Sequence, residues 1–316
     1  MSTITTPAET TYVPLWRVRL RLFRRGMRTS WATFAENPIG LIGLGVILFF
    51  GLFALAHPIL MNTVWERKVY EPVNGFDIEI SYHPSPPSAR HLLGTDPMGR
   101  DVLSQLMFST RYEFTLGMIS ALVTIFIATT IGAVSAYYGG LIDIILMRLV
   151  DLVIMVPFLP ILIVLSALMS VGMVQLALFL GVLYGFGATA VVIKSQALTV
   201  KVKPFIEAAR IAGGGDFHII FNHMMPNLLP ISLLYMMFVV TGAIFSEAVL
   251  SFFGLTEIQM SWGLMINTTQ VFGYLMRFDT WYLLLPASLA ITLLCAAFYL
   301  VGRALDEVVN PRLRER

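Results

Sequence analysis

LLPISLLYMMFVVTGAIFSEAVLS (228–251) contains a single charged side chain, that of Glu247, in 24 mostly apolar residues. About 20 apolar residues are enough for an α-helix to cross the hydrocarbon core of a bilayer. Within lipid, the backbone must satisfy its hydrogen bonds inside the segment, so a helix is expected rather than a strand. The stretch therefore predicts a transmembrane α-helix.

Five further apolar runs of similar length occur along the chain, at 39–60, 113–138, 144–170, 174–193 and 281–302. The 316 residues are 57% hydrophobic and only 13% charged, and the mean hydropathy is +0.78. Soluble domains are typically about half apolar and about a quarter charged. The predicted fold class is therefore all-α integral membrane, with six transmembrane helices.

Basic residues cluster beside the apolar runs at both ends of the chain and in one internal connection. RVRLRLFRRGMR (17–28) contains six arginines. The other basic residues of these clusters are Lys194, Lys201, Lys203, Arg210, Arg303, Arg312, Arg314 and Arg316. Because loops rich in lysine and arginine stay in the cytoplasm, both termini and the connection between the fourth and fifth spans are predicted to be cytoplasmic.

The same signals divide the chain into predicted segments. Loop 61–111 holds five basic and six acidic residues, or seven acidic ones with Glu113 just beyond it, and is predicted to be extracytoplasmic. The segments are a cytoplasmic basic N-terminal tail (1–38), a first transmembrane helix (39–60), the extracytoplasmic loop (61–111), a membrane core (112–303) with the connection 195–227, and a cytoplasmic tail (304–316). The basic tail suits anionic lipid, and no nucleic-acid partner is expected.

Residue patterns typical of enzymes are missing from the sequence. None of the four lysines follows a glycine, so there is no phosphate-binding GxxxxGK[ST] loop, and there is no GxSxG elbow. His218 and His223 lack the HExxH spacing of a zinc helix and are not expected to share a helix face closely. The single cysteine, Cys295, cannot form an intramolecular disulfide. The prediction is a protein without enzymatic activity, metal or cofactor.

Charged residues within the spans are few, and intramembrane charges often mark a transport pathway. Arg148 and Asp151 are three residues apart, on one helix face. A mutual pair near the membrane interface is favoured, and a substrate or proton site is the alternative. Glu247 either faces a pore or caps the bundle, and the sequence leaves both open. No series of acids crosses the membrane, which disfavours a proton-driven carrier.

Glycines and prolines mark two of the spans. Gly181 and Gly185 form a small-xxx-small pair, which favours close helix packing over a gating hinge. Pro157 and Pro160 are predicted to bend the third span, because proline removes a backbone donor.

The connection KVKPFIEAARIAGGGDFHIIFNHMMPN (201–227) begins with a predicted short helix. Pro204 suits its first turn, and Glu207 favours its positive end. Phe205, Ala209 and Ala212 are predicted to form one apolar face. The three glycines 213–215 are expected to end this helix.

A second short helix is predicted after the glycines. Asp216 is expected to cap its N-terminus, and Pro226 is expected to mark its limit. Its predicted apolar face consists of Phe217, Ile220, Phe221 and Met224. Two apolar helices with a sharp bend are unlike a solvated loop and imply a partner protein; a helix lying on lipid is the alternative.

EAARIAGGGDFHIIFNHMMPN (207–227) resembles the EAA motif of the permeases of binding-protein-dependent ABC importers. The matching residues are Glu207, Ala208, Ala209, Gly213, Asp216, His223, Pro226 and Asn227. The chain departs from the motif at Ala212, where the family usually has leucine, and at Met224 and Met225, where it usually has Ile-Leu. These replacements remain apolar.

Other segments resemble the dipeptide/oligopeptide class of these permeases, so that the resemblance covers nearly all of 37–314. They are NPIGLIGL (37–44), HLLGTDPMGRDVLSQLMFSTR (91–111), YYGGLIDIILMRLVDL (137–152), SEAVLSFFGL (246–255), SWGLMI (261–266) and NPRLR (310–314). Within the second of these, Asp96 is expected to cap a helix with Pro97 in its first position. The family more often has Asp where this chain has Asn310.

The resemblance implies a permease subunit in a bacterial or archaeal inner membrane that forms half of a pathway for peptides. The implied partners are a second homologous permease, two ATP-binding subunits that hold ATP and Mg, and an extracytoplasmic peptide-binding protein. The implied ATPase-docking residues are Pro204, Phe205, Glu207, Ala208, Ala209, Gly213, Asp216, Phe217, Ile220, Phe221, His223 and Pro226. A secondary carrier, or an importer of nickel chelates or oligosaccharides, is the alternative.

Overall fold

The computed structural model describes residues 15–309, with the side chains of 15–20, 22 and 23 left out. Its helices are α1 (Leu15–Ala35), α2 (Pro38–Thr63), α3 (Arg67–Tyr70), α4 (Val102–Tyr138), α5 (Gly140–Met155), α6 (Phe158–Leu168), α7 (Met173–Gly185), α8 (Ala188–Lys201), α9 (Pro204–Ile211), α10 (Asp216–Ile219), α11 (Met225–Phe252), α12 (Trp262–Val271) and α13 (Trp281–Val309). The stretch NPRLR (310–314) and most of the predicted C-terminal tail lie outside the described residues.

Four helices are long and apolar enough to cross a membrane: Pro38–Thr63, Val102–Tyr138, Asp216–Phe252 and Phe278–Val309. Two bent pairs, α5 with α6 and α7 with α8, pass the same test when each pair is taken together. The described part of the chain is therefore an all-helical membrane protein with four to six candidate spans, at the positions of the six predicted apolar runs.

The bend between α5 and α6 has an identifiable cause. The α5–α6 pair bends by 80° where Val156 and Pro157 separate the two helices. Pro157 has no N–H to continue α5, so the backbone ladder ends there, and the predicted bend is confirmed. Pro160 lies within the first turn of α6, where a missing N–H is tolerated. The α7–α8 pair bends by 45° at Phe186 and Gly187.

Helix α4 lies at the centre of the bundle, where it packs against α7, α8 and α11. A Cβ on Gly181 would lie 2.6 Å from Val123 Cβ, and one on Gly185 would lie 2.8 Å from Ile127 Cβ. Thr124 Oγ1 also donates to the Gly181 carbonyl, at 3.1 Å. The predicted packing role of the two glycines is confirmed, because only glycine permits this separation between α4 and α7.

The charged residues of the spans have different environments. Arg148 and Asp151 form an ion pair of 3.9 Å on the exposed side of α5, as the favoured interpretation predicts. Glu247 is fully buried, and its Oε1 accepts a hydrogen bond from Ser251 Oγ at 2.6 Å. The Glu247 carboxylate therefore lies inside the bundle, and a pore-facing or a capping role stays a prediction.

The segment between α2 and α4 contains the short helix α3 and a series of turns. Asp96 does not cap a helix, which corrects the expectation from the sequence. Its Oδ1 accepts from the backbone N–H groups of Met98 and Arg100 in a tight turn. The N-cap of α4 is Asp101, whose Oδ1 accepts from Ser104 N–H at 2.6 Å. Helix α4 thus includes the last ten residues of the predicted loop 61–111.

Candidate functional site

Helix α9 is the first part of the element predicted to meet a partner. Pro204 occupies its first position, after Lys203 in an extended conformation, and Glu207 lies in its first turn. At its end, Gly213 N–H donates to the Arg210 carbonyl and Gly214 N–H to the Ala209 carbonyl, each at 3.0 Å. This is a Schellman motif, and it needs a left-handed residue at Gly213, whose φ is +83°.

The two faces of α9 differ from the prediction. Ile206 is buried against the bundle at 1% exposure, and Ala209 is half-buried beside it. Phe205 and Ala212 are exposed instead of sharing the inner face with Ala209. Ile211, which is not among the predicted docking residues, is 83% exposed. The signal was present, because Phe205, Ala208 and Ile211 follow one another at intervals of three.

Helix α10 begins differently from the prediction. Its N-cap is Gly215, and Asp216 is the first helical residue. The Asp216 carboxylate accepts a hydrogen bond of 2.6 Å from Tyr137 Oη at the end of α4. The Arg210 guanidinium lies 5.7 Å from the centre of the same Tyr137 ring. Asp216 therefore ties the element to α4 instead of capping α10.

The side chains predicted for one face of the second helix point in two directions. Ile220 and Met224 are buried in the cluster formed with α4 and α8. Ile219, which the sequence argument omitted, is also fully buried. Phe217 is 73% exposed, and its ring centroid lies 4.2 Å from that of the half-buried Phe221, with the two rings inclined by 32°. The inner face therefore anchors the element, and Phe217 faces outward.

Pro226 does not end the helix, contrary to the prediction. A π-helical turn, Ile220–Met224, follows α10, and Met225 N–H bonds to the Ile220 carbonyl. Pro226 then lies within the first turn of α11, so its missing N–H is accommodated. Asn227 Nδ2 donates to the His223 carbonyl at 2.7 Å. Residues Asp216–Phe252 form one continuous helical segment.

The π-turn also brings His218 and His223 together. Their rings are 5.3 Å apart in an edge-to-face arrangement, although their spacing predicts that they do not share a helix face closely. The extra residue in a π-helical turn aligns positions i and i+5. Among the described residues, no group of three or more histidine, cysteine or acidic side chains is arranged to hold a metal ion.

The outward surface of this element is apolar with one acidic residue. We call it the docking face and define it as Pro204, Phe205, Glu207, Ala208, Ile211, Ala212 and Phe217, all of which are exposed. Among the other predicted docking residues, Gly213, Asp216 and Pro226 are exposed, Ala209, Phe221 and His223 are half-buried, and Ile220 is buried. The docking face is therefore an exposed and mainly apolar surface.

Comparisons with known proteins identify a family and its relatives. A family profile described as a binding-protein-dependent transport system inner membrane component matches residues 128–315. The dipeptide transport system permease protein DppC of Bacillus subtilis (strain 168) is 32% identical over 291 residues, covering 90% of this chain and 85% of that protein.

Two further relatives match over similar lengths. The glutathione transport system permease protein GsiD of Pectobacterium atrosepticum is 29% identical, covering 92% of this chain and 94% of that protein. The oligopeptide transport system permease protein OppC of Haemophilus influenzae is 28% identical, covering 89% of this chain and 87% of that protein.

Proposed function

Because this chain belongs to the family of binding-protein-dependent transport system inner membrane components, we propose that it is the transmembrane permease subunit of an ATP-driven peptide importer. The family is a transport component and not an enzyme. The chain is a multi-pass protein of a bacterial inner membrane. We propose that it forms half of the translocation pathway and that separate subunits hydrolyse ATP.

The observation that carries this proposal is the docking face and its attachment to the bundle. Phe217 is exposed at the start of the helical segment Asp216–Phe252, so a partner that moves this side chain also moves a candidate span. Ile206 and the Tyr137–Asp216 hydrogen bond attach the same element to α4. Force applied at the docking face thus reaches two membrane helices through packed contacts.

The proposed topology has six spans, with each bent pair crossing the membrane once. An even number of spans leaves both termini on one side, and the basic residues near them favour the cytoplasm. The docking face then lies in the cytoplasm, within reach of ATP-binding subunits. The segment 64–101 lies outside, where a peptide-binding protein would deliver its cargo.

The proposed partners follow from the family and from the printed functions of its relatives. We propose a second homologous permease chain, two ATP-binding subunits that bind ATP and Mg, and an extracytoplasmic peptide-binding protein. Relatives named for dipeptides, oligopeptides and glutathione support small peptides as the cargo. Nickel chelates and oligosaccharides are the second choice, and a secondary carrier would leave the docking face without a role.

The docking role is tested with Phe217→Ser, matched by Phe278→Ser at a residue that is 97% exposed near the start of α13. The tagged chain is purified from membranes that contain the second permease and the ATP-binding subunits. Removing an aromatic anchor from the centre of an interface costs about 2 kcal/mol or more. We expect Phe217→Ser to retain about half of the ATP-binding subunit, because the second permease keeps its own copy, and Phe278→Ser to retain all of it.

Equal recovery of the ATP-binding subunit with wild type and with Phe217→Ser would exclude the docking face as its contact. Equal loss in both variants would point to a general defect and would equally argue against a specific role for Phe217.

A further inference from the structure

His91 is fully buried in the segment between α2 and α4, between two carboxylates. Its Nδ1 lies 2.8 Å from Asp101 Oδ2, and its Nε2 lies 3.0 Å from Asp77 Oδ2. Both ring nitrogens are therefore within hydrogen-bond distance of an acceptor. We call Asp77, His91 and Asp101 the His91 clasp.

The protonation state of the ring follows from this geometry. A neutral imidazole has one N–H donor and one lone pair, whereas an imidazolium has two N–H donors. An ionised carboxylate has no proton to donate. A neutral His91 would therefore direct a lone pair at one of the two carboxylates, and only the cation donates to both.

The clasp joins parts of the chain that are distant in sequence. Asp101 Oδ1 caps α4 through Ser104 N–H, and Asp77 Oδ1 accepts from Glu79 N–H at 2.9 Å. His91 thus links the turn at 77–80 to the first turn of α4. Two further hydrogen bonds tie this region together: Ser104 Oγ donates to the Tyr70 carbonyl, and Tyr70 Oη donates to the Arg90 carbonyl at 2.6 Å.

The charged and titratable neighbours come from each surrounding element. Arg90 Nε lies 2.7 Å from Asp77 Oδ2, and Arg90 also pairs with Glu79. The Tyr70 ring of α3 lies 5.5 Å from the His91 ring. On the α2 side, His57 Nε2 lies 3.2 Å from Ser104 Oγ, beside the N-cap of α4.

Local electrostatics agree with a protonated ring. Burial alone would lower the pKa of His91, but the hydrogen bonds to Asp101 and Asp77 outweigh it and raise the pKa above its ordinary value. Burial would raise the pKa of Asp77, but its bonds to the Glu79 N–H and His91 and the charge of Arg90 lower it. Both shifts favour the charged forms.

We propose that the His91 clasp is a protonation-dependent fastening: the imidazolium holds the segment 77–91 against the N-terminus of α4, and loss of its proton releases that segment. This inference does not depend on the proposed transport function. It assigns a pH-sensitive element to the segment that follows α2.

The pH range in which the clasp is closed follows from the pKa shifts of His91 and Asp77. The stabilisation from His91 is fully present below its unfolded pKa and is lost as the pH rises through the raised folded pKa. The stabilisation from Asp77 is present above its unfolded pKa and is lost as the pH falls through the lowered folded pKa. The clasp is therefore closed between these limits, and it opens as the pH rises through the raised pKa of His91.

Hydrogen–deuterium exchange of the full-length protein in lipid nanodiscs tests the proposal. Protection factors for amides of 92–104, which correct for the intrinsic effect of pH, are measured from about pH 6 to about pH 9.5. One proton linked to opening lowers protection by at most about tenfold per pH unit. We expect that slope in wild type between the pKa of the released His91 and its raised pKa in the closed clasp. The control His83→Gln should show the same slope; His83 Nδ1 lies 2.8 Å from Thr95 Oγ1, and its ring lies 5.0 Å from that of Phe76 in an edge-to-face arrangement.

The proposal predicts opposite changes in amide protection for two variants. His91→Gln cannot become a cation, so protection of 92–104 is expected to be low, without the alkaline slope. Asp101→Asn replaces one acceptor by an amide that can donate to a neutral ring, while its oxygen still accepts from Ser104 N–H, so protection is expected to persist at alkaline pH. Wild type without a slope, His91→Gln with the wild-type slope, or Asp101→Asn opening like wild type would each overturn the proposal.

Discussion

At the scale of single residues, Gly213 controls how the docking element turns. Its φ of +83° is costly for any residue with a Cβ, by about 1–2 kcal/mol. Gly213→Ala is therefore expected to loosen the link between α9 and α10 while leaving insertion in the membrane unchanged. In reconstituted complexes, we expect the ratio of peptide uptake to ATP hydrolysis to fall several-fold, because a cost of about 1.4 kcal/mol corresponds to a factor of ten.

Gly215→Ala is the matched control for that substitution. Gly215 has a φ of −69°, and a Cβ there would meet no atom within 4 Å. The ratio of peptide uptake to ATP hydrolysis in Gly215→Ala should equal that of wild type. A normal ratio in Gly213→Ala would contradict the view that this turn transmits force.

The residue scale is also where the sequence was least informative. Residue spacing identified an apolar element at 204–226 but assigned Ala209 and Ala212 to one face, because periodicity alone cannot tell which side meets the bundle. Asp216 was assigned to a cap, since its hydrogen-bond partner, Tyr137, lies 79 residues away. Long-range contacts of this kind have no local signature.

At the scale of elements, the contact between α4 and α7 depends on glycines, which have no side chain. A Cβ on Gly181 would lie 2.6 Å from Val123 Cβ, and adjustments of this kind typically cost about 1–3 kcal/mol. Gly181→Ala should therefore lower the thermal unfolding midpoint of the purified protein by several degrees.

Gly51→Ala on α2 is the matched control for the helix contact. A Cβ at Gly51 would meet no atom within 4 Å, and alanine favours a helix over glycine by about 0.5–1 kcal/mol. The Gly51→Ala midpoint should be unchanged or slightly raised. Equal unfolding midpoints for Gly181→Ala and wild type would show that the α4–α7 contact accommodates the added methyl group without loss of stability.

Elements were predicted better than contacts. The six apolar runs locate the four long helices and both bent pairs, because bilayer thickness imposes a length that hydropathy reveals. A bend in the third span was predicted from Pro157 and Pro160; it lies at Pro157 and measures 80°. The π-turn at Ile220–Met224 was not predicted, and Pro226 was taken as a helix end, because the sequence does not show which irregular turn will accommodate a proline.

At the scale of the whole molecule, the proposed topology puts the segment 64–101 and the docking face on opposite sides of the membrane. Cys295 is the only cysteine of the chain, so Cys295→Ala gives a background without reactive thiols. Ile78→Cys and Val202→Cys then introduce one thiol each, at residues that are 87% and 81% exposed. A membrane-impermeant maleimide should label the first in intact cells and the second only after permeabilisation.

The Cys295→Ala protein without an added cysteine provides the baseline for this labelling. Reaction of both introduced thiols in intact cells, or of neither before permeabilisation, would place the two segments on the same side. A six-span arrangement with both termini inside would then be wrong.

The uninterrupted segment Asp216–Phe252 contains 37 residues. At 1.5 Å per residue it is about 55 Å long, well beyond the roughly 30 Å hydrocarbon core. Such a rod pivots more readily than it compresses. A tilt of about 10° around its midpoint would carry each end about 5 Å in opposite directions. A small sideways displacement of Phe217 would thereby reappear, reversed, at the far surface of the bilayer.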